Sequence, residues 1–326
     1  MLLTLGVNSI RSMLKGRGSA RPALELTDIP RYARDELGLN GLTMTTDLLA
    51  GATREQIASL RDAGDKAGCA TLLLVEPDPL PIAEPSEKKG EQGVERMIRV
   101  VRAAQLLGCS SAAMSVKGKD DDETFERAAE RIREVVDHAE RLEVNLLIRP
   151  AKGLTEKPDR LIELIKKVGG FRIGSLPDFQ DAAASGDPAA YLRRITPYAS
   201  ALLASTVELE QPEAGEPEPA KKKPKKKAAA KAPPADEGDD DAGDDEPIVE
   251  GESLPEDEVL DIESLLDVPP PIHRPYELTP LIEAILSVGY DQALTIDYRG
   301  EGDGTLGVML SRDAVEAAIE SLAQQG

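Results

Sequence analysis

Several ionisable side chains stand where short apolar runs end, and that placement is the first chemical signal in the chain. Asp297 lies near the end of the run Ala293 to Tyr298, inside the stretch GYDQALTIDYRG. Glu76 ends the run TLLLVE at residues 71–76. A carboxylate at the tip of a buried strand is positioned by the strand's apolar body while its head group is presented at a mouth. Cationic residues take comparable places. Lys117 follows the run Ala112 to Val116, Arg149 closes VNLLIR, and Arg299 comes two residues after Asp297. Lys117 and Arg299 suit an anion-binding element for a phosphate or a carboxylate; ordinary surface charge is the alternative reading of both.

Positioning such side chains requires a repeated unit of strand and helix, and the chain contains eight. The predicted strands are Leu3 to Asn8, Gly41 to Thr45, Thr71 to Glu76, Ala112 to Val116, Val144 to Arg149, Arg172 to Leu176, Ser200 to Thr206 and Ala293 to Tyr298. The predicted helices between and after them are Thr27 to Leu37, Thr53 to Lys66, Glu91 to Leu107, Asp122 to Leu142, Pro158 to Val168, Asp187 to Ile195, Tyr276 to Ser287 and Ser311 to Ala323. Thr53 precedes Gln56 at capping-box spacing, and Val94, Met97, Ile98 and Val101 trace one helical face. Apolar strands alternating with helices specify a parallel sheet, and eight units close it into a (β/α)8 barrel. An open doubly wound sheet would want a Gly-rich phosphate loop after the first strand, and Asn8-Ser9-Ile10 is not one.

The strand ends recur every 27 to 40 residues, except that the last interval is 92. Residues 208–271 account for the excess: without these 64 residues the interval falls to 28, and 262 residues remain, near the roughly 250 typical of the fold. The expected organisation is therefore a barrel over 1–207 and 272–326, interrupted by a charged, low-complexity insertion at 208–271. The insertion holds 21 acids and 7 lysines, so it carries −14 of the chain's net charge of −21. Too polar to bury a core, it reads as disordered. Within it, Ser253 to Asp267 has the caps and spacing of an acidic amphipathic helix, suited to dock on the barrel or on a partner, and the insertion leaves from the face where it can lie over the barrel mouth.

With only −7 left on the barrel, charge argues against nucleic-acid binding by the folded part; the Lys221 to Lys231 run is the one basic stretch that would attract it. No apolar run approaches the roughly 20 residues of a membrane span. Cys69 and Cys109 are too few and too isolated for a disulfide frame, which suits a reducing, cytoplasmic setting. His138 and His273, the two histidines, read as surface residues.

Three segments, ARDELGLNGLTM (33–44), RAAQLLGCSSAAM (102–114) and VGYDQALTIDYRG (288–300), make the chain resemble the xylose isomerase-like barrels, a superfamily of sugar (phosphate) isomerases and epimerases. The resemblance implies one or two divalent metals held by Glu, Asp, His and Glu at successive strand ends, polarising a sugar for proton transfer. By the same resemblance, the first Glu falls at or beside Arg149, and a guanidinium cannot ligate a cation. Asp178, in LPDFQ, keeps the Asp; ALLASTVE has no His; and Asp297 takes the last Glu's place, one methylene shorter. Two expectations follow. In the first, Arg149 pairs with a carboxylate and the mouth binds a small polar or phosphorylated ligand, or a partner, with no metal. In the alternative, Asp178, Asp297 and Glu76 hold Mg²⁺, Mn²⁺ or Zn²⁺ in an active sugar isomerase or epimerase. A third reading makes the barrel a scaffold for its charged insertion.

Overall fold

The structure, a computed structural model, describes residues 1–14, 23–212 and 269–324. Met1–Gln211 and Pro270–Gly326 group as one compact unit, and Pro212–Pro269 as a second. Nearly all of the second, with the helix expected at 253–267 and the basic run 221–231, lies outside the described residues.

The first unit is built on eight strands: β1 (Leu2–Gly6), β2 (Leu42–Thr45), β3 (Thr71–Val75), β4 (Ser111–Ser115), β5 (Asn145–Arg149), β6 (Ile173–Ser175), β7 (Ala201–Thr206) and β8 (Ala293–Tyr298). They pair in parallel in the order β6-β5-β4-β3-β2-β1-β8-β7. Single bridges from Ser175 to Ala199 and from Asp178 to Leu203 carry β6 onto β7, and the Leu203 N–H donates to the Pro177 carbonyl at 2.9 Å. The ring is closed, and the expected (β/α)8 barrel is the fold.

Strands covered on both faces read as continuous apolar runs, and side chains alternate faces with period two. Leu73, Val75, Ala113, Leu147, Leu176, Ala201 and Leu203 form one cluster inside the ring, while alternate residues such as Leu74, Met114, Leu146 and Leu202 join the larger core under the helices. Inside the ring, buried Thr4 and Thr43 each hydrogen-bond the Thr295 hydroxyl, at 3.0 Å and 2.9 Å, so none of the three hydroxyls is buried without a partner. Two residues farther along these inward rows come Arg149 after Leu147, Ser205 after Leu203 and Asp297 after Thr295. The pleat thus delivers these three side chains to the C-terminal mouth.

The helices follow local signals. Arg54–Ala67 begins with the anticipated box, Gln56 N–H donating to Thr53 Oγ1 at 3.3 Å and the Thr53 N–H to Gln56 Oε1 at 2.8 Å. Two departures are instructive. The closing helix runs Gly304–Ala323, starting seven residues before the expected Ser311, capped by Asp303. Gly304 and Gly307 hide its first turns, but Gly307 is there because a Cβ would strike the Tyr298 ring. A helix at Phe179–Ala184, N-capped by Asp178, was not expected, since six residues are too few to show a period.

At the root of the insertion, Leu209–Glu210 pairs antiparallel with Ile272–His273, so residues that composition assigned to disorder form a short ribbon. His273 corrects a second expectation. It is only 6% exposed, its Nε2 accepting the Val207 N–H at 3.1 Å and its Nδ1 facing the Tyr276 carbonyl at 2.9 Å. Ribbon pairing turns it inward, which its position next to a polar segment conceals. His138 is half-buried on its helix, its Nδ1 facing the Glu134 carbonyl at 3.0 Å. Among the described residues no helix is long and apolar enough to cross a membrane.

Candidate functional site

Four charged side chains meet at the mouth. Asp178, fully buried at the start of helix 179–184, accepts a hydrogen bond from Arg149 at 2.8 Å and from Arg299 at 2.6 Å, both on Oδ2. Its Oδ1 accepts the Gln180 N–H at 3.0 Å and the Ser205 hydroxyl. Asp297 Oδ2 receives Arg299 through Nε at 2.9 Å and through Nη2 at 2.7 Å, and the remaining Arg299 amino group donates to Gln180 Oε1 at 2.7 Å. Burial works against the charge of Arg299, but Asp297 and Asp178 outweigh it and hold its pKa above the ordinary value. Gly6 on β1 makes room for this arrangement, because a Cβ there would come within 2.8 Å of Asp297 Oδ1.

Two neighbours complete the mouth. Burial, with the adjacent Asp178, pushes the Asp181 carboxyl up to about 6, against the pull of Arg149 and Arg299. Its Oδ2 is buried with no hydrogen-bond partner among the described residues, and so is Nε of Arg149. Tyr276 donates to the Ser205 carbonyl, and burial raises its hydroxyl to about 12. Asp181, Ser205 and Tyr276 were not anticipated. Asp181 had one legible signal, its spacing three residues beyond the capping Asp178; the other two had none.

The remaining candidates are elsewhere engaged or apart. Glu76 is buried, but its carboxylate is held by Arg96 at 2.8 Å and by the Thr46 hydroxyl at 2.9 Å. Arg96 comes from the helix Glu87–Leu107 behind β3, so Glu76 does not join Asp178 and Asp297 as a third ligand. Lys117 is exposed in the loop after β4, and no bond ties it to the cluster. Every nitrogen of Arg299 has an acceptor on a carboxylate or the Gln180 amide, whereas Nε of Arg149 is buried without one.

These residues do not fit the divalent ion that the resemblance implies. A carboxylate has about four lone-pair sites, and Asp178 accepts four hydrogen bonds. Among the described residues no group of three or more His, Cys, Asp or Glu side chains is placed to hold a metal ion.

Comparison with known proteins agrees with the architecture. Residues 32–261 match the family described as xylose isomerase-like TIM barrel. An L-ribulose 3-epimerase structure superimposes with a TM-score of 0.67 at 12% identity, over 100% of this chain and 98% of the other. A D-psicose 3-epimerase, solved in the presence of D-fructose, gives 0.62 at 11% identity, over 98% of each. A xylose isomerase domain protein from Alicyclobacillus acidocaldarius subsp. acidocaldarius gives 0.59 at 14%, again over 98% of each. No curated protein matches the sequence.

Proposed function

The chain belongs to the xylose isomerase-like TIM barrel family, and from that premise we propose that it binds a small polar or phosphorylated ligand at the barrel mouth without metal catalysis. Sugar epimerases among its structural neighbours support a sugar isomerase/epimerase-like descent, but fold alone does not carry an activity. The observation that carries the metal-free reading is Asp178, whose lone pairs are all taken by Arg149, Arg299, Gln180 and Ser205. In this reading the two guanidiniums supply the positive charge that a divalent ion supplies in metal-dependent relatives, and they supply it as hydrogen-bond donors, not as a Lewis acid. Such a mouth binds and orients its ligand through charged hydrogen-bond donors.

Elemental analysis of the purified protein, with calorimetric titration of Mn²⁺, Mg²⁺ and Zn²⁺, tests the reading. The expected result is no stoichiometric metal and no micromolar metal binding, with D-fructose or L-ribulose binding unaffected by a chelator. A tightly bound ion lost on Asp178→Asn or Asp297→Asn, together with metal-dependent epimerisation of either sugar, would establish the active enzyme instead. We also propose a cytoplasmic setting, which the free, buried thiols of Cys69 and Cys109 support.

A further inference from the structure

The arginines in the mouth are not equivalent. Arg299 has each of its donor nitrogens on an acceptor: Nε and Nη2 on Asp297, Nη2 also on Asp178, and Nη1 on Gln180. Arg149 donates to Asp178 through Nη2, and its Nε is buried without a partner. Asp178 cannot take that proton, because its four acceptor sites are full. A buried charged donor left unmade costs more than a neutral one, so the site is built to receive an acceptor from outside. Donor chemistry decides which kind, because a charged N–H donor pairs most strongly with a charged oxygen. Charge limits the strength: Arg149 and Arg299 only balance Asp178 and Asp297, and the Asp181 carboxylate, its Oδ2 also unpartnered, repels anything negative that approaches.

We infer that the ligand of this mouth carries an oxyanion, a carboxylate or a phosphate, received on the Nε edge of Arg149, with Asp181 limiting how tightly it is held. The inference rests on reading the mouth as a ligand site. Within it, the anion-binding role moves from Lys117 and Arg299 to Arg149. A planar guanidinium edge presents parallel N–H groups that match the two oxygens of a carboxylate or phosphate. The like charge of the Asp181 carboxylate weakens every anion held there, and a doubly charged one more than a singly charged one.

The probes are acetate and sulfate, the second standing in for phosphate, with D-fructose as the neutral control. Each is titrated into the full-length protein near pH 8, followed by the arginine Nε–H resonances in nitrogen-15 spectra. Acetate or sulfate is expected to shift one Nε–H signal, the signal absent in Arg149→Gln. The stronger of the two probes identifies the carboxylate or the phosphate as the natural group. Binding should fall at least tenfold in Arg149→Gln, and it should tighten about tenfold in Asp181→Asn, where a nearby like charge is removed. The gain in Asp181→Asn keeps the test decisive even if Arg149→Gln folds poorly. Fructose binding without any response to acetate or sulfate would overturn the oxyanion assignment and leave the mouth as a ligand site. Silence toward all three would overturn both, and unchanged acetate or sulfate affinity in both variants would show that the ions lodge elsewhere.

Discussion

Replacing Arg299 with Met keeps the length of the side chain and removes its charge, and the cost can be worked from the contacts. Arg299 makes hydrogen bonds to Asp297, Asp178 and Gln180, and its side chain is 26% exposed against 15% for Asp297 and none for Asp178. Removing one partner of a buried pair costs about 3–5 kcal/mol, because the other charge is left uncompensated. Partial exposure of the guanidinium screens part of that, and Asp178 keeps Arg149, so about 3 kcal/mol is the expected loss for Arg299→Met. With a urea slope of roughly 3 kcal/mol/M for a domain of this size, the midpoint should fall by about 1 M. The informative arm is the double variant Arg299→Met with Asp297→Leu. Removing both partners leaves no orphan charge at Asp297, so the double variant should recover about 1–2 kcal/mol relative to additivity. Urea unfolding of the wild type, the two single variants and the double variant gives the coupling directly. A coupling energy below about 0.5 kcal/mol would refute the claim that the mouth is held by buried ion pairing.

Other outcomes follow from the same contacts. Asp181 has its folded pKa raised above the unfolded value, so its contribution to stability is complete below about pH 4 and disappears as pH rises through about 6. Asp181→Asn should therefore raise the melting temperature near pH 8 and have little effect near pH 4, as read by thermal unfolding across that range; a pH-independent difference would contradict the assigned burial. For His273, burial lowers the pKa despite its bond to the Tyr276 carbonyl, so folding favours the neutral ring and stability is lost as pH falls below about 6.5. The charged ring cannot accept the Val207 N–H, and the protection of that amide, after correction for the slower intrinsic exchange in acid, should fall at about pH 5 relative to pH 7 in the wild type but not in His273→Asn. Phe179 is fully buried beside the capping Asp178; Phe179→Ala should cost about 3–5 kcal/mol in urea unfolding and release Asp178 from its turn. Burial pushes the Cys69 thiol up to about 11 and that of Cys109 to about 12, so neither should react with iodoacetamide at neutral pH until the protein unfolds, as counted by mass spectrometry.

Read alone, the sequence determined the barrel. Eight apolar runs bounded by caps and turns are local patterns, and a strand covered on both faces has few other ways to be buried. Period two along VNLLIR and ALTIDY also determined that Arg149 and Asp297 face the bore once the ring closes, and the family resemblance singled out Asp178. Which charge meets which was decided only in three dimensions. Arg299 reaches Asp178 across 121 positions of chain, and Glu76, one more carboxylate at a strand end, turns to Arg96 and Thr46 because the helix behind β3 offers a cation there. Ser205, Tyr276 and His273 carry no local mark of their roles, and Asp181 only its spacing from the capping Asp178, since a hydroxyl, carboxyl or imidazole becomes part of a network only when burial removes its competing water. Local periodicity sets which face a residue takes; pairing depends on distances across the closed ring, and no stretch of chain short enough to read contains them.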